Sequence, residues 1–413
     1  MNTFFDDDLL LYSPMAKEIY GEVKDLPVID YHCHLDQNLI KADARFSDIG
    51  QLWLSADHYK WRAMRLCGVD EAYITGGADD HEKFLKYAGI MPDLAGNPLY
   101  YWTHLELKQI FGIGEPLCKE SAERIWSAAN EKLKDVSVSS LLRMYRVRYV
   151  ATTDDPCDDL AAHGKYGDTL VAPTFRPDKL LALEEESIAR LEKTVGYKTD
   201  TLAQFLDALE ERLCYFVSHG CKISDHGFAR FPDRYPSKEE AEKLFARRRE
   251  LLPAEREALF GYLLVRAAAL YKKHGILMQL HFSVTRNVNP PMYRACGPDA
   301  GFDVIGEAQS GRGLIQYLNG QGVLMTPCRF YFGCYIDTLC GRTLRNRMSG
   351  AAARHFFFLE KVRTVSACIG INLPLKKRPA DGGEQPTPPW AALAQASRKC
   401  TFAQLAEDTP VPY

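Results

Sequence analysis

Short apolar runs alternate with polar turns and longer amphipathic stretches along most of this chain. Pro27–Tyr31, Val147–Thr152, Thr169–Pro173, Cys221–Ser224 and Gly275–Phe282 each read as a buried strand, being apolar, brief and bounded by turn residues. Helical periodicity fills Leu202–His219 and Ser237–His274, and Pro253 divides the second because an interior proline removes a helical N–H. Strands alternating with helices imply a parallel sheet. Polar and ionisable residues follow strand after strand, which favours a (β/α)₈ TIM-like barrel, where chemistry gathers at the carboxyl ends of the strands. Residues 36–146 carry helical pattern without a second strand and read as a large helical insertion after strand one. The expected fold class is therefore α/β.

The first strand ends in the segment Asp30-Tyr31-His32-Cys33-His34. Alternate residues of an extended chain point to one side, so His32 and His34 are expected to aim two imidazoles at a single divalent metal. A pair of surface histidines at a strand end is the plainer alternative. In Asp57-His58-Tyr59-Lys60-Trp61-Arg62-Ala63-Met64-Arg65, a helix would bring His58, Arg62 and Arg65 to one face, suited to a carboxylate-bearing substrate. A solvated helix face over a core of Trp61 and Met64 fits the same spacing.

Four later strand ends carry candidate chemistry. Asp154 and Asp155 are adjacent, so only one can face a barrel axis, and an N-cap is the simpler role. Arg176 follows another strand as a carboxylate or hydroxyl anchor, or as half of a structural salt bridge. Ser224-Asp225-His226-Gly227 offers an ionisable pair and a glycine that permits tight curvature, unless the segment is an Asx-turn with a satisfied histidine. His281 precedes the polar stretch Thr285-Arg286-Asn287-Val288-Asn289, which tilts it from a core role towards function.

The bulk composition narrows the classes. The 413 residues are 46% hydrophobic and 25% charged, with a net charge of -3, so neither nucleic acid nor an anionic membrane surface is an expected partner. An acidic N-terminus and the lack of a long apolar run point to a cytoplasmic protein. Twelve cysteines without a C-x-x-C pair read as reduced thiols. There is no P-loop, no G-x-G-x-x-G fingerprint and no G-x-S-x-G elbow.

Taken together, the motifs resemble uronate isomerase (glucuronate isomerase), of the amidohydrolase superfamily. The resemblance rests on DYHCHL at 30–35, DHYKWRAMR at 57–65, NPLYYWTHLEL at 97–107, TTDDP at 152–156 and FRPDK at 175–179. It continues through SDHG at 224–227, QLHFSVTRNVN at 279–289 and GPDAGFD at 297–303. It implies a distorted (β/α)₈ barrel that interconverts D-glucuronate with D-fructuronate and D-galacturonate with D-tagaturonate. It implies His32 and His34 as ligands of a divalent metal, usually zinc, and His58, Tyr59, Asp225 and His281 as the catalytic set. Arg62, Arg176, Arg286 and Asn289 would bind the uronate, and a homo-oligomer is expected. Ser283-Val284 departs from the family's usual Gly-Ala and would crowd the pocket rim. The alternatives are a metal-dependent hydrolase on the same fold and an inactive remnant.

The resemblance runs through about residue 320, which divides the chain into a metal-dependent barrel over 1–320 and an atypical tail over 321–413. The family's Gly-Ser-x-Trp-Trp-Phe and Thr-Asp-Ser-Arg segments are both missing, the second of which supplies a metal-binding, proton-shuttling aspartate. The tail is instead rich in cysteine, arginine and proline, and Asp337, Asp381 and Asp408 lie in no matching context. We expect that the reading frame shifts within residues 318–330, which places strands seven and eight in doubt. Reading the coding DNA in all three frames tests this: Trp-Trp-Phe and Thr-Asp-Ser-Arg should appear in a neighbouring frame. Their absence from every frame would make the tail genuine.

Overall fold

The computed structural model describes residues 8–306, residues 313, 314, 316 and 317, and the backbone of Phe330–Cys334. The strands are β1 (Val28–Asp30), β2 (Val147–Ala151), β3 (Gly164–Tyr166), β4 (Thr169–Ala172) and β5 (Thr174–Phe175), followed by β6 (Ile223–Phe228), β7 (Leu277–Phe282), β8 (Val284–Thr285), β9 (Val304–Ile305) and β10 (Phe330–Cys334). They form two four-stranded sheets, ordered β1-β2-β4-β3 and β10-β7-β6-β5, and a β8-β9 ribbon. All pairings in the two larger sheets are parallel except β3 with β4.

Only Pro173 separates β4 from β5, so Thr169–Phe175 is the seam between the sheets. Backbone bonds carry the β2 edge across it: Thr152 N–H to Ala172 O, Asp154 N–H to Thr174 O and Arg176 N–H to Asp154 O, at 3.1–3.2 Å. The parallel strands therefore follow one another in chain order. The Asp154 carboxylate locks the seam, accepting from Thr152 Oγ1 at 2.7 Å and from the Thr174 N–H at 3.0 Å. Buried His163 lies 3.2 Å from its other oxygen. Neither acid of the pair begins a helix: Asp155 accepts from the Cys157 N–H in a turn and pairs with Arg190.

Strand alternation sorts side chains into two layers. Tyr149, Ala151, Ala172 and Ile223 pack inwards with Ile29, Tyr31, Leu170 and Leu277. Outward-facing Val150 and Val171 meet Ile40 and Leu142. Met278, Leu280 and Phe282 join a larger outer core with the helical layer.

The segment between β1 and β2 is helical. After α1 (Pro14–Val23), which precedes β1, it holds α2 (Gln37–Lys41), α3 (Ile49–Leu54), α4 (His58–Leu66), α5 (Asp80–Ile90), α6 (Pro98–Phe111), α7 (Ala122–Leu133) and α8 (Val138–Met144). Side chains of Asp48, Asp57, Asp79, Asn97 and Ser137 cap five of these by accepting from first-turn N–H groups. The insertion has its own core, built on Trp53, Met64, Phe84, Tyr87, Leu107 and Ile125. Beyond β5 come α9 (Asp178–Leu181), α10 (Glu185–Val195), α11 (Leu202–Ser218), α12 (Lys238–Ala246), α13 (Pro253–Lys273) and α14 (Pro290–Cys296). Pro253 opens α13, where its missing N–H has no intrahelical partner to lose.

In the tail, β10 adds a parallel strand to the β7 edge, with Phe330 opposite Met278. The remaining expectations for residues 321–413, including Asp337, Asp381 and Asp408, lie outside the described residues. No helix among the described residues is long and apolar enough to cross a membrane. Their cysteines are all free thiols.

Removing the seam carboxylate should leave the buried Thr174 N–H and Thr152 hydroxyl without their acceptor. Asp154→Ala is expected to destabilise the fold by about 3 kcal/mol, read as a lowered urea midpoint. An unchanged midpoint would contradict this account of the seam.

Candidate functional site

The centre of the site follows from the pairing of β6 with β7. Asp225 lies opposite Gln279 and Gly227 opposite His281, so these positions share the inner face. Asp225 is fully buried there. His281 Nδ1 donates to Asp225 Oδ1 at 2.6 Å, and Arg176, just past β5, brings Nη1 to 3.0 Å from Oδ2. Burial alone would push the Asp225 carboxyl up. The His281 hydrogen bond and the Arg176 guanidinium outweigh it and hold the group well below the usual carboxylate range.

Arg176 is itself fixed by Asp178, which accepts from its Nε at 2.9 Å and from the Gly227 N–H at 2.9 Å. A Cβ on Gly227 would sit 2.7 Å from the guanidinium. Gly227 is not among the residues with positive φ, so its role is to leave room for Arg176 rather than to permit a tight turn. The Asx-turn is likewise not found, because Asp225 and His226 lie within β6. His226 points to the outer layer, with its ring 5.5 Å from that of Tyr271.

His32 approaches this cluster from the end of β1. Its Nδ1 is buried without a hydrogen-bond partner and lies 4.0 Å from Asp225 Oδ2. Burial lowers the imidazole to about 4, against the opposing pull of Asp225, so the ring is neutral at physiological pH. The Tyr31 carbonyl accepts from Gln279 at 3.1 Å, and the Cys33 N–H donates to Ala151 O, which together hold the loop against β7 and β2.

Donor atoms of His32, Asp225 and His281 all lie within 4.8 Å of one another, a grouping that can hold a metal ion. Of the expected His32–His34 pair, His32 belongs to this grouping and His34 lies next to it. Strand β1 ends at Asp30, two residues before His32, and the Cys33 N–H bond to Ala151 O carries the pairing with β2 between the two histidines. They stand 5.0 Å apart at 85°, and His34 is exposed. His32 lies closer to His281, at 4.6 Å between ring centroids.

The DHYKWRAMR segment forms α4, with Asp57 as its cap. His58, Tyr59 and Arg62 line a separate small cavity of about 50 Å³ with Val284, Gly301 and Asp303. That volume holds one or two waters. Arg62 Nε donates to the Gly301 carbonyl at 3.1 Å. Arg65 shares that face, donating to the adjacent Ala300 carbonyl, but Glu71 also takes it in a two-pronged pair at 2.6 and 2.8 Å.

Arg286 and Asn289 both have partners nearby. Arg286 pairs with Asp299 and Asp303, and the Asn289 side chain accepts from Met292 N–H as the cap of α14. Ser283, where glycine was the expected family residue, has a left-handed φ of 70°, and Val284 lines the small cavity. The sequence reading passed over Asp30, whose carboxyl is raised to about 6 by burial. An acid closing an apolar strand was its available signal.

With this geometry in place, comparison with known proteins gives a consistent result. The family model described as glucuronate isomerase matches residues 1–323. A uronate isomerase from Caldanaerobacter subterraneus subsp. tengcongensis is 42% identical over 342 residues, covering 78% of this chain and 73% of that protein. One from Shouchella clausii is 42% identical over 331 residues, covering 76% and 70%. Among solved structures, the uronate isomerase of Thermotoga maritima superimposes with a TM-score of 0.78 at 30% identity, covering 84% of this chain and 78% of that one. The glucuronate isomerase of Caulobacter crescentus gives 0.75 at 25%, covering 84% and 77%.

Two glycine exchanges should move stability in opposite directions. Gly227→Ala displaces Arg176 from a buried carboxylate and should cost about 2–3 kcal/mol. Ser283→Gly relieves a left-handed serine and should gain about 0.5 kcal/mol after the added chain entropy. Chemical denaturation reads both, and a reversed order would refute the two assignments.

Proposed function

The chain belongs to the glucuronate isomerase family, and on that premise we propose that its isomerase chemistry centres on His32, Asp225 and His281 within a (β/α)₈ barrel. The observation that carries this reading is the buried Nδ1 of His32, which faces an anionic carboxylate and has no hydrogen-bond partner. Two imidazoles and a carboxylate are a donor set suited to zinc, and His34 stands beside them as a further ring. A divalent ion held there would polarise the sugar carbonyl and the neighbouring hydroxyl, lowering the cost of the negative charge that develops during isomerisation.

The chain's own groups divide the remaining work. Asp225 stays ionised and holds His281 in one orientation through the 2.6 Å bond. Arg176 neutralises that buried charge and presents a cation to the sugar's carboxylate or hydroxyls. We assign His58 and Tyr59, whose rings lie 4.3 Å apart, to proton handling at the sugar, and Arg62 to its carboxylate. The small cavity these three line would have to open for a uronate. Arg286 acts through Asp299, whose charge also bears on Arg176. Asn289 shapes the same end as a helix cap.

A second reading, an inactive remnant, is favoured by a specific observation. The family model's match stops at residue 323, and neither Trp-Trp-Phe nor Thr-Asp-Ser-Arg occurs in the sequence. We therefore expect that this polypeptide binds metal but turns over D-glucuronate and D-galacturonate poorly. The full chain should be assayed with both uronates and with amide and ester substrates, alongside metal analysis. His281→Asn should release the metal held beside Asp225 and remove any residual isomerase activity. A turnover in the ordinary enzyme range of about 1–10³ s⁻¹ would overturn the expectation of weak activity. Ester or amide hydrolysis without isomerisation would overturn the isomerase assignment.

A further inference from the structure

We propose that Glu210, Cys214 and His274 form a second cation site on the helical layer, taking a borderline-soft divalent ion such as zinc. Glu210 and Cys214 stand four residues apart on α11, which puts both side chains on one face. His274 caps the C-terminus of α13 and turns towards them. Its Nε2 lies 2.7 Å from Glu210 Oε1 and 3.9 Å from Cys214 Sγ. The three donor atoms all fall within 4.8 Å of one another.

Tetrahedral zinc with bonds of about 2.0–2.3 Å places donors roughly 3.3–3.6 Å apart. The two distances to His274, 2.7 and 3.9 Å, straddle that range and each needs a shift of well under an ångström to accept an ion. Cys214 is an exposed free thiol, so the site is open to an incoming ion and leaves its fourth position to water. Among the described residues only two such donor groups occur, and this one alone contains a thiol. That difference in donor chemistry makes the two groups separable by spectroscopy.

Without an ion, Glu210 is shared between His274 and Lys273, whose Nζ lies 2.6 Å away. This hydrogen-bonded cluster already ties α11 to α13, but it gives the Cys214 thiol only a contact at 3.9 Å. The ion would replace that tie with a coordinate cross-link. It would act on the turn from which Leu277 begins β7, the strand that carries His281.

Cobalt(II) is the test ion, because a thiolate ligand gives a sulfur-to-metal charge-transfer band that nitrogen and oxygen donors lack. The full chain, stripped with a chelator, is titrated with cobalt. The band is expected in the unmodified protein and in His281→Asn, and lost in Cys214→Ser and Glu210→Gln. Lys273→Ala removes the competing cation and should tighten cobalt binding several-fold. Cys214→Ser is exposed and should melt like the parent without metal, while losing the zinc-dependent rise in melting temperature. A band that survives Cys214→Ser, or that disappears only in His281→Asn, would overturn the proposal, as would no band in the unmodified protein.

Discussion

A carboxylate sealed from water is the constraint around which the inner face is arranged. Asp225 is fully buried, and a buried ion without partners costs several kcal/mol even after relaxation. Partners must therefore be delivered from separate parts of the chain: Arg176 after β5, His281 on β7 and His32 after β1. Each depends on a backbone condition. The β6–β7 register sets Asp225 beside the strand that carries His281, and the bare Cα of Gly227 leaves the space Arg176 occupies. Asp178 then holds both the guanidinium and the strand backbone.

The same arithmetic explains the division of labour among charged residues. Asp154 is equally buried, yet its oxygens are consumed by Thr152, Thr174 and His163, which makes it a fastener between sheets. Arg65 is consumed by Glu71 and the Ala300 carbonyl. His32 differs from both in retaining a buried nitrogen with nothing to bond. Residues of similar type are thus separated by what remains unspent on each.

Much of this was legible in the sequence. The apolar runs that become β1, β2, β4, β6 and β7 were readable because a parallel strand buried on both faces needs no alternation. Their boundaries were less so: β6 runs on through Phe228, well past the expected Ser224, whereas β1 falls inside the expected Pro27–Tyr31. The strands β3, β5, β8 and β9 are two or three residues long and exist through their partners, so no periodicity announces them. At the site, His32, Arg176, Asp225 and His281 were legible from residue type at strand ends. The Arg65–Glu71 pair was not, because Glu71 belongs to a separate short helical turn.

The bond from Arg62 to the Gly301 carbonyl spans 239 residues. At synthesis rates of about 5–20 residues per second, α4 must wait roughly ten to fifty seconds for the loop it clasps. Its own insertion core needs no such delay, since every buried residue of that cluster lies within Ile49–Val136. The nascent chain can thus carry a finished helical lobe while the cavity beside it has only one wall. Any event that ends translation before Gly301 leaves that lobe intact and the pocket unbuilt.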